Sequence, residues 1–218
     1  MNQPSFPQLC SKITALSIAT ILLALATPSL KAQVVFANNL TETLNSTAQT
    51  LNNLTGSQFT TDASASSFTF NSVTIRINGV LATGGTYSVD LYSDSAGKPS
   101  VLLGNLSGAT PSAAGDFIYT SPGVALTAST PYWVVMGATG AGQYQQSMTS
   151  STSVSGGWGI SSGVSFSSDS GSSWFAGGFG SDRPQLSISA SAVPEPSTYG
   201  LFAGLGVLGL VMGRRRRV

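Results

Sequence analysis

The feature that most constrains the fold is a period-two alternation of apolar and polar residues, in short runs beyond Ser66. Within residues 72–78, Val73, Ile75 and Ile77 share one side of an extended chain, and polar residues share the other. Side chains alternate between the two faces of a β-strand, so this pattern predicts strands with one buried face. Glycine, proline and serine separate the runs and predict turns. The other predicted strands are 86–92, 101–106, 116–120, 131–138, 143–148, 163–166, 174–178 and 185–190.

Strands of this length and spacing predict an all-β domain, a single antiparallel β-sandwich or jelly roll, over residues 66–192. Residues 33–65 are rich in Asn, Thr, Ser and Gln and predict a polar lead-in with one strand near 34–36. With both ends of the chain set aside, about 160 residues remain, which is enough for one domain with a sizeable core.

The N-terminus has the organisation of a secretory signal peptide. A basic residue precedes an apolar stretch at 13–26, and the helix-breaking Pro28 and a small-residue exit follow it. Two cleavage sites fit this pattern, one after Ala32 and one after Ala26, and we place the cleavage after Ala32. Residues 1–32 therefore predict that the chain is exported.

The exported part of the chain is acidic. The whole sequence has a formal charge of +1, but most of its basic residues lie in two terminal segments that we expect to be removed. Between Gln33 and Pro196, three basic side chains stand against eight acidic ones, a net charge of −5. Nucleic acids and anionic membrane surfaces bind clustered lysine and arginine, so the composition predicts neither as a partner.

The C-terminus combines a proline–acid–proline segment, a short apolar stretch and a cluster of arginines. Even counted over residues 199–213, the apolar stretch would span only about 22 Å as a helix, less than the about 30 Å of a bilayer core. The arginines would stay cytoplasmic and stall export with the domain outside. The sequence predicts a transient hold in the inner membrane, with a permanent anchor as the alternative. The residues of the signal are Val193, Pro194, Glu195, Pro196, Arg214, Arg215, Arg216 and Arg217.

This order of features resembles the PEP-CTERM sorting signal of Gram-negative bacteria. The resemblance covers residues 193–218, and its motif is Pro194-Glu195-Pro196. In that family the signal is recognised by an exosortase, a membrane-embedded cysteine transpeptidase-like enzyme, and its carriers accompany exopolysaccharide production. The resemblance implies that an exosortase-type enzyme is a partner and that the tail is cut near the motif. It also implies a final location at the outer cell surface or in the extracellular matrix.

The central region resembles the choice-of-anchor R domain, a family of bacterial exported domains that occur with alternative C-terminal anchoring signals. The resemblance rests on residues 87–94, the strand and turn that end at Lys98-Pro99, the strand at 130–135 and residues 167–174. It implies an exported β domain and brings no established biochemical activity.

Residues 167–174, Ser-Ser-Asp-Ser-Gly-Ser-Ser-Trp, fit the Asp-box pattern S-x-D-x-G-x-S/T-W, which begins at Ser167. The expected mechanics are local: Asp169 accepts turn amide hydrogens, Gly171 takes a positive φ, and Trp174 folds over the turn. The pattern occurs once, without the repeats of a propeller. We interpret it as a stabilised hairpin and not as a sialidase signature.

The residue types that the sequence lacks exclude the commonest kinds of catalytic site. The chain has no histidine, and Cys10, its only cysteine, lies in the predicted signal peptide, so it offers neither a Ser-His-Asp triad nor a thiol nucleophile. A glycan hydrolase needs only two carboxylates and is the alternative function. Asp90 and Asp94 bracket the end of a strand, where they are expected to cap backbone amides, with a weak Ca²⁺ site as the rival interpretation. We predict no catalytic residue and no cofactor.

Aromatic rings offer the better route to sugar binding, because their flat apolar faces can meet the C–H face of a sugar. Tyr92 lies on the polar face of its strand, and Tyr144 and Trp158 lie in glycine- and serine-rich segments. These three residues are the candidate glycan contacts, with packing under loops as the alternative. The sequence as a whole predicts a non-enzymatic protein of the cell surface or exopolysaccharide matrix, with polysaccharide as a candidate partner.

Overall fold

A computed structural model describes residues 34–50, 52–176 and 180–193 of the chain. The regular structure in these ranges is entirely β, which confirms the prediction of an all-β fold. Within them no helix is long and apolar enough to cross a membrane. The predicted signal peptide and the apolar C-terminal helix lie outside the described residues. The strands are β1 Val34–Asn38, β2 Ser46–Thr50, β3 Leu54–Thr60, β4 Ser67–Ala82, β5 Gly85–Ser95, β6 Lys98–Gly108, β7 Gly115–Thr127, β8 Pro131–Gly140, β9 Gln143–Thr149, β10 Ser155–Gly156, β11 Gly159–Ile160, β12 Ser165–Ser167, β13 Phe175–Ala176, β14 Arg183–Pro184 and β15 Leu186–Ala192.

The strands pair antiparallel into one continuous sheet, in the order β10-β1-β15-β4-β7-β6-β5-β8-β3-β12-β13. Off this path, β9 pairs with β2, β4 and β14, and β11 pairs with β3. Strand β6 joins the two halves of the sheet, because it pairs with β5 along most of its length and with β7 only at Ser107 and Gly108. We call the half with β4, β7, β9 and β15 the first half, and the half with β3, β5 and β8 the second half.

Aromatic contacts show that the two halves face each other across the core. The ring of Phe59, on β3, lies 6.1 Å from that of Phe70, on β4. The ring of Tyr87, on β5, meets the ring of Tyr144, on β9, edge-on at 4.8 Å. Large aromatic side chains contribute most of the apolar surface that such a core removes from water. The alternation predicted for residues 72–78 matches this core, because Val73, Ile75 and Ile77 are buried.

Residues 33–65 are not a lead-in, because they supply β1, β2 and β3. The strand predicted near 34–36 corresponds to β1, but β2 and β3 were not predicted, although β3 pairs with β8 along its whole length. Buried positions of the two missed strands are occupied by Thr50, Thr55 and Ser57. A strand that points hydroxyl side chains inward lacks the apolar alternation on which the prediction depends.

The remaining predicted strands are present with shifted ends. Those predicted at 72–78, 101–106 and 116–120 are longer in the structure, and the residues added to the first include Phe68 and Phe70, which are fully buried. The strand predicted at 163–166 begins only at Ser165. Of the strand predicted at 174–178, only Phe175–Ala176 is a strand among the described residues.

The two chain ends of the described domain lie at the same end of the sheet. Strands β1 and β15 are antiparallel neighbours, and Val34 pairs with Ala190. The backbone N–H of Val193 donates to the carbonyl oxygen of Ser67 at 2.9 Å, so the hydrogen-bonded structure reaches the residue before Pro194. Ser67 pairs with Thr127, the last residue of β7. Strand β8 begins four residues later, at Pro131, so its start lies at the same end of the sheet. We call it the exit end, defined by Val34, Ser67, Thr127 and Val193.

Candidate functional site

Several residues singled out by the sequence lie together on the outer face of the second half. On β5, Asp90, Tyr92 and Asp94 point to the same side because they are two residues apart. Tyr92 lies opposite Trp133 of β8. Trp174 packs with Trp133 in a cluster separate from the main core, and Tyr92 lies against that cluster. We call Asp90, Tyr92, Asp94, Trp133 and Trp174 the outer patch.

Asp94 is the hydrogen-bonding centre of the outer patch. Its Oδ1 accepts the indole N–H of Trp133 at 2.7 Å and the amide Nε2–H of Gln58 at 2.9 Å. Its Oδ2 accepts the backbone N–H of Gly97 at 3.2 Å, in the turn between β5 and β6. The carboxylate thus links the neighbouring strands β3, β5 and β8 and caps a turn, which fixes the indole ring of Trp133 in place.

Asp90 and Tyr92 are electrostatically coupled. Burial raises the pKa of Asp90, and this is partly opposed by the side-chain amide of Asn105, which donates to Asp90 Oδ1 at 2.7 Å. Burial, and then the negative charge of Asp90, raise the pKa of the Tyr92 hydroxyl. Tyr92 therefore presents a neutral phenol beside a carboxyl group near pH 7, an arrangement that can both donate and accept hydrogen bonds.

The turn at residues 167–174 is held by its own side chains. Asp169 Oδ1 accepts the backbone N–H of Ser173 at 2.8 Å, and Asp169 Oδ2 accepts the Ser173 hydroxyl at 2.6 Å. The Ser167 hydroxyl donates to Asp169 Oδ1 at 2.8 Å and accepts the backbone N–H of Gly171, whose φ is +91°. These hydrogen bonds from Ser173 and Ser167 lower the pKa of Asp169 to about 2. Asp169 is therefore ionised at neutral pH, the form that accepts these hydrogen bonds.

This turn places Trp174 on the outer patch. The Trp174 side chain is 7% exposed and clusters with Trp133 and Val135. Gly56 of β3 lies beneath both indole rings, and a Cβ there would lie 3.1 Å from Trp133 Cε3 and 3.6 Å from Trp174 Cζ3. The absence of a side chain at Gly56 lets the rings approach the strand backbone.

The structure corrects two of the three predicted glycan contacts. Tyr144 is 1% exposed and packs against Tyr87. Trp158 is 2% exposed, and its ring stacks between those of Phe36 at 4.8 Å and Phe59 at 5.6 Å. The glycine- and serine-rich sequence around them suggested surface loops, but both rings fill the main core and present no face to a sugar.

Tyr92 differs from these two rings, since it is only partly buried. Its side chain lies on the outer face and packs against the edge of the Trp133 and Trp174 cluster. Of the three predicted contacts, Tyr92 is therefore the one that the fold leaves partly accessible to a ligand.

Asp90 and Asp94 do not form a compact pair of carboxylates. They are four positions apart on an extended strand, which places their Cα atoms about 13 Å apart, and the two side chains point the same way. The carboxylates also have different partners, Asn105 for Asp90 and Trp133 for Asp94. Across the described ranges, no group of three or more His, Cys, Asp or Glu residues is placed to hold a metal ion.

Sequence reasoning missed Gln58 and Asn105. Gln58 lies in β3, which the apolar pattern did not predict. Asn105 pairs with Asp90 across the β5–β6 hairpin, where two register shifts prevent simple counting from the turn. Both residues fix the carboxyl groups of the outer patch, and the sequence carries no local signal for either.

Residues 192–217 match the PEP-CTERM protein-sorting motif, which confirms the predicted sorting signal. Such signals are recognised by exosortase-type enzymes, and the match indicates a protein that is exported and sorted to the cell surface. The matched segment begins at Ala192, the last residue of β15. The chain matches no curated protein and no solved structure.

Proposed function

We propose that this chain is a non-enzymatic component of the cell surface or exopolysaccharide matrix. An exosortase-type enzyme cuts its tail near Pro194-Glu195-Pro196, after a transient hold in the inner membrane. The exported part is a β domain of the choice-of-anchor R type that packs as a sandwich, and it contacts polysaccharide through the outer patch.

The observation that carries this proposal is the position of the sorting motif relative to the last strand. The match begins at residue 192, and among the described residues the backbone hydrogen bond nearest the C-terminus is the one from Val193 to Ser67. Strand β15 lies between β1 and β4, so it is an interior strand of the sheet. Removal of residues beyond the motif would leave all the strand pairs of the described residues intact, as expected for a tail that is cut after folding.

The composition of the outer patch supports polysaccharide contact. Tyr92 offers a partly exposed ring, while Asp90 and its partner Asn105 offer carboxyl and amide groups beside it. A sugar presents an apolar C–H face and a rim of hydroxyls, which match a ring flanked by hydrogen-bonding groups. Because Asp94 and Trp133 are fixed by hydrogen bonds, the surface would be largely organised before binding.

The same geometry disfavours the glycan hydrolase alternative. Hydrolysis requires two carboxyl groups about 5–10 Å apart on either side of the scissile bond. The Cα atoms of Asp90 and Asp94, the acidic pair beside the candidate contact ring, are about 13 Å apart, and the two side chains point to the same side of one strand instead of facing each other across a sugar. Asp94 is also engaged through both of its oxygens.

Co-sedimentation with exopolysaccharide purified from the producing cells tests the binding part of the proposal. Tyr92→Ala removes the accessible ring and is expected to weaken binding about tenfold, because truncating a residue that contributes to an interface costs more than about 1 kcal/mol. Ile118→Ala is the matched control. It also truncates an exposed apolar side chain, 60% exposed, but on β7 in the first half of the sheet.

The expected result is weakened co-sedimentation for Tyr92→Ala and wild-type behaviour for Ile118→Ala. Equal binding by wild type and Tyr92→Ala would refute polysaccharide contact through the outer patch. Circular dichroism of each variant, compared with wild type, shows whether the fold is retained.

A further inference from the structure

A cavity of about 200 Å³ opens at the end of the sheet opposite the exit end. Residues of the segment before β3, of the end of β8 and of the turn at 167–174 line it. Strand β8 starts at Pro131, beside the exit end, and runs to Gly140, which lines the cavity. Ten residues of strand cover about 30 Å, so the cavity lies far from the point where the tail leaves.

The lining is neutral and rich in hydrogen-bonding residues. The lining residues include Asn52 and Asn53, which carry side-chain amides, Thr139 and Ser170, which carry hydroxyls, and the apolar Leu54. None of the seven described residues that line the cavity is acidic or basic. Amides and hydroxyls both donate and accept hydrogen bonds, so this lining suits an uncharged ligand that carries several hydroxyl groups.

The size of the cavity limits such a ligand. Pockets for drug-sized molecules occupy about 300–1,000 Å³, so a cavity of about 200 Å³ admits one small ring and not a row of rings. An open cavity of this size at the tip of a domain can hold one sugar residue at the end or on a branch of a longer chain.

Three lining residues have left-handed backbone conformations. Asn52 has a φ of +47°, Ser170 of +56° and Gly140 of +67°. For Ser170 this conformation costs free energy, and such positions cluster at binding sites where the surrounding structure holds them. All three residues line the same cavity, so backbone positions of this kind converge there.

We propose that this cavity binds a single neutral sugar residue. The site is distinct from the outer patch, and it goes beyond the proposed function because it adds a second point of glycan recognition, at the end of the domain remote from the tail. A domain held at its exit end would present the cavity away from the site of attachment. A charged sugar is not the preferred ligand that we propose, because none of the described lining residues carries a charge.

Ligand-observed NMR on the full chain tests this proposal, in a detergent without a sugar headgroup. The probes are glucose, galactose, N-acetylglucosamine and glucuronic acid. Asn52→Gly and Ser170→Gly each remove a polar side chain while keeping the left-handed backbone that glycine adopts readily. Ser129→Gly is the matched control, since Ser129 has a φ of +50° and does not line the cavity.

The expected result is saturable binding of at least one neutral sugar, weakened about fivefold by either cavity variant and unchanged by Ser129→Gly. A fivefold change corresponds to the loss of one ordinary hydrogen bond. The proposal is overturned if no neutral sugar binds, if only glucuronic acid binds, or if both cavity variants bind as the wild type does. Tyr92 does not line the cavity, so Tyr92→Ala tests glycan contact through the outer patch alone. A failure of the outer-patch proposal can therefore be told apart from a failure of the cavity proposal.

Discussion

Replacing Trp174 by alanine tests whether the turn at 167–174 stabilises the domain by seating an indole ring on the outer patch. Trp174 is 7% exposed and packs on Trp133 and Val135, apart from the main core. The substitution removes this ring and leaves the hydrogen bonds around Asp169 in place, because they involve other side chains and the backbone. The variant therefore isolates the packing contribution of the ring.

The expected loss follows from the buried area. A tryptophan buries about 200–250 Å², which at about 25 cal/mol per Å² gives about 5–6 kcal/mol. This is an upper value, because the unfolded chain already buries part of the ring, and core Trp→Ala changes cost about 3–5 kcal/mol. We expect a loss of about 4 kcal/mol, out of the about 5–15 kcal/mol of a typical domain. In urea, with a slope of about 2 kcal/mol per M, the midpoint would fall by about 2 M.

Phe175→Ala is the matched control, because Phe175 is the next residue and is 61% exposed. Its truncation is expected to change the free energy of unfolding by less than about 0.5 kcal/mol. If Trp174→Ala unfolded within 0.5 kcal/mol of wild type, the outer cluster would not stabilise the domain, and the account of the turn would be wrong.

Two further substitutions test other contacts. Asn39 is fully buried; its Nδ2 donates to the carbonyl oxygen of Pro184 at 3.0 Å, and its Oδ1 accepts the backbone N–H of Leu186 at 2.7 Å. Asn39→Ala leaves both backbone groups without this partner. We expect it to lower the free energy of unfolding, measured by chemical denaturation, by about 2–4 kcal/mol. A loss below 1 kcal/mol would contradict this. The pKa of Asp169, lowered to about 2 by hydrogen bonds from Ser173, means that ionised Asp169 stabilises the turn above about pH 4 and loses this effect as the pH falls towards 2. Asp169→Asn is therefore expected to be less stable than wild type at pH 7, with the difference narrowing below pH 4; a difference independent of pH would contradict the assignment.

The fold class could be predicted because the strands of the main core follow the simplest rule of β-structure. The alternation of Val73, Ile75 and Ile77 needs no knowledge of neighbouring strands, since each buried residue is apolar. In β3 the inward positions include Ser57 and Thr55, and the strand is specified by its pairing with β8. Tertiary pairing of this kind leaves no local pattern, which is why the sequence of residues 33–65 predicts only a polar lead-in with one strand.

The candidate site was predictable in part for the same reason. Asp90, Tyr92 and Asp94 share a face because they alternate along one strand, so their common orientation could be predicted from β5 alone. The burial of Trp158 could not, because its ring is stacked between Phe36, from β1, and Phe59, from β3. Contacts between residues distant in the sequence decide whether an aromatic ring is part of a core or of a binding surface.

The turn at 167–174 and the sorting signal, in contrast, could be predicted from the sequence alone. Both depend on residues adjacent in the sequence, so a pattern in one chain is enough to locate them.

The most direct test of the central claim is the intact mass of the protein recovered from the surface of the producing cells. We expect a chain that begins at Gln33, ends at or beyond Val193 and lacks Arg214 to Arg217. The reason is that a backbone hydrogen bond joins Val193 to Ser67 of the sheet, and the sorting motif follows Val193. The double variant Pro194→Ala and Pro196→Ala should retain the tail. Surface protein that still carries the four arginines would contradict the account.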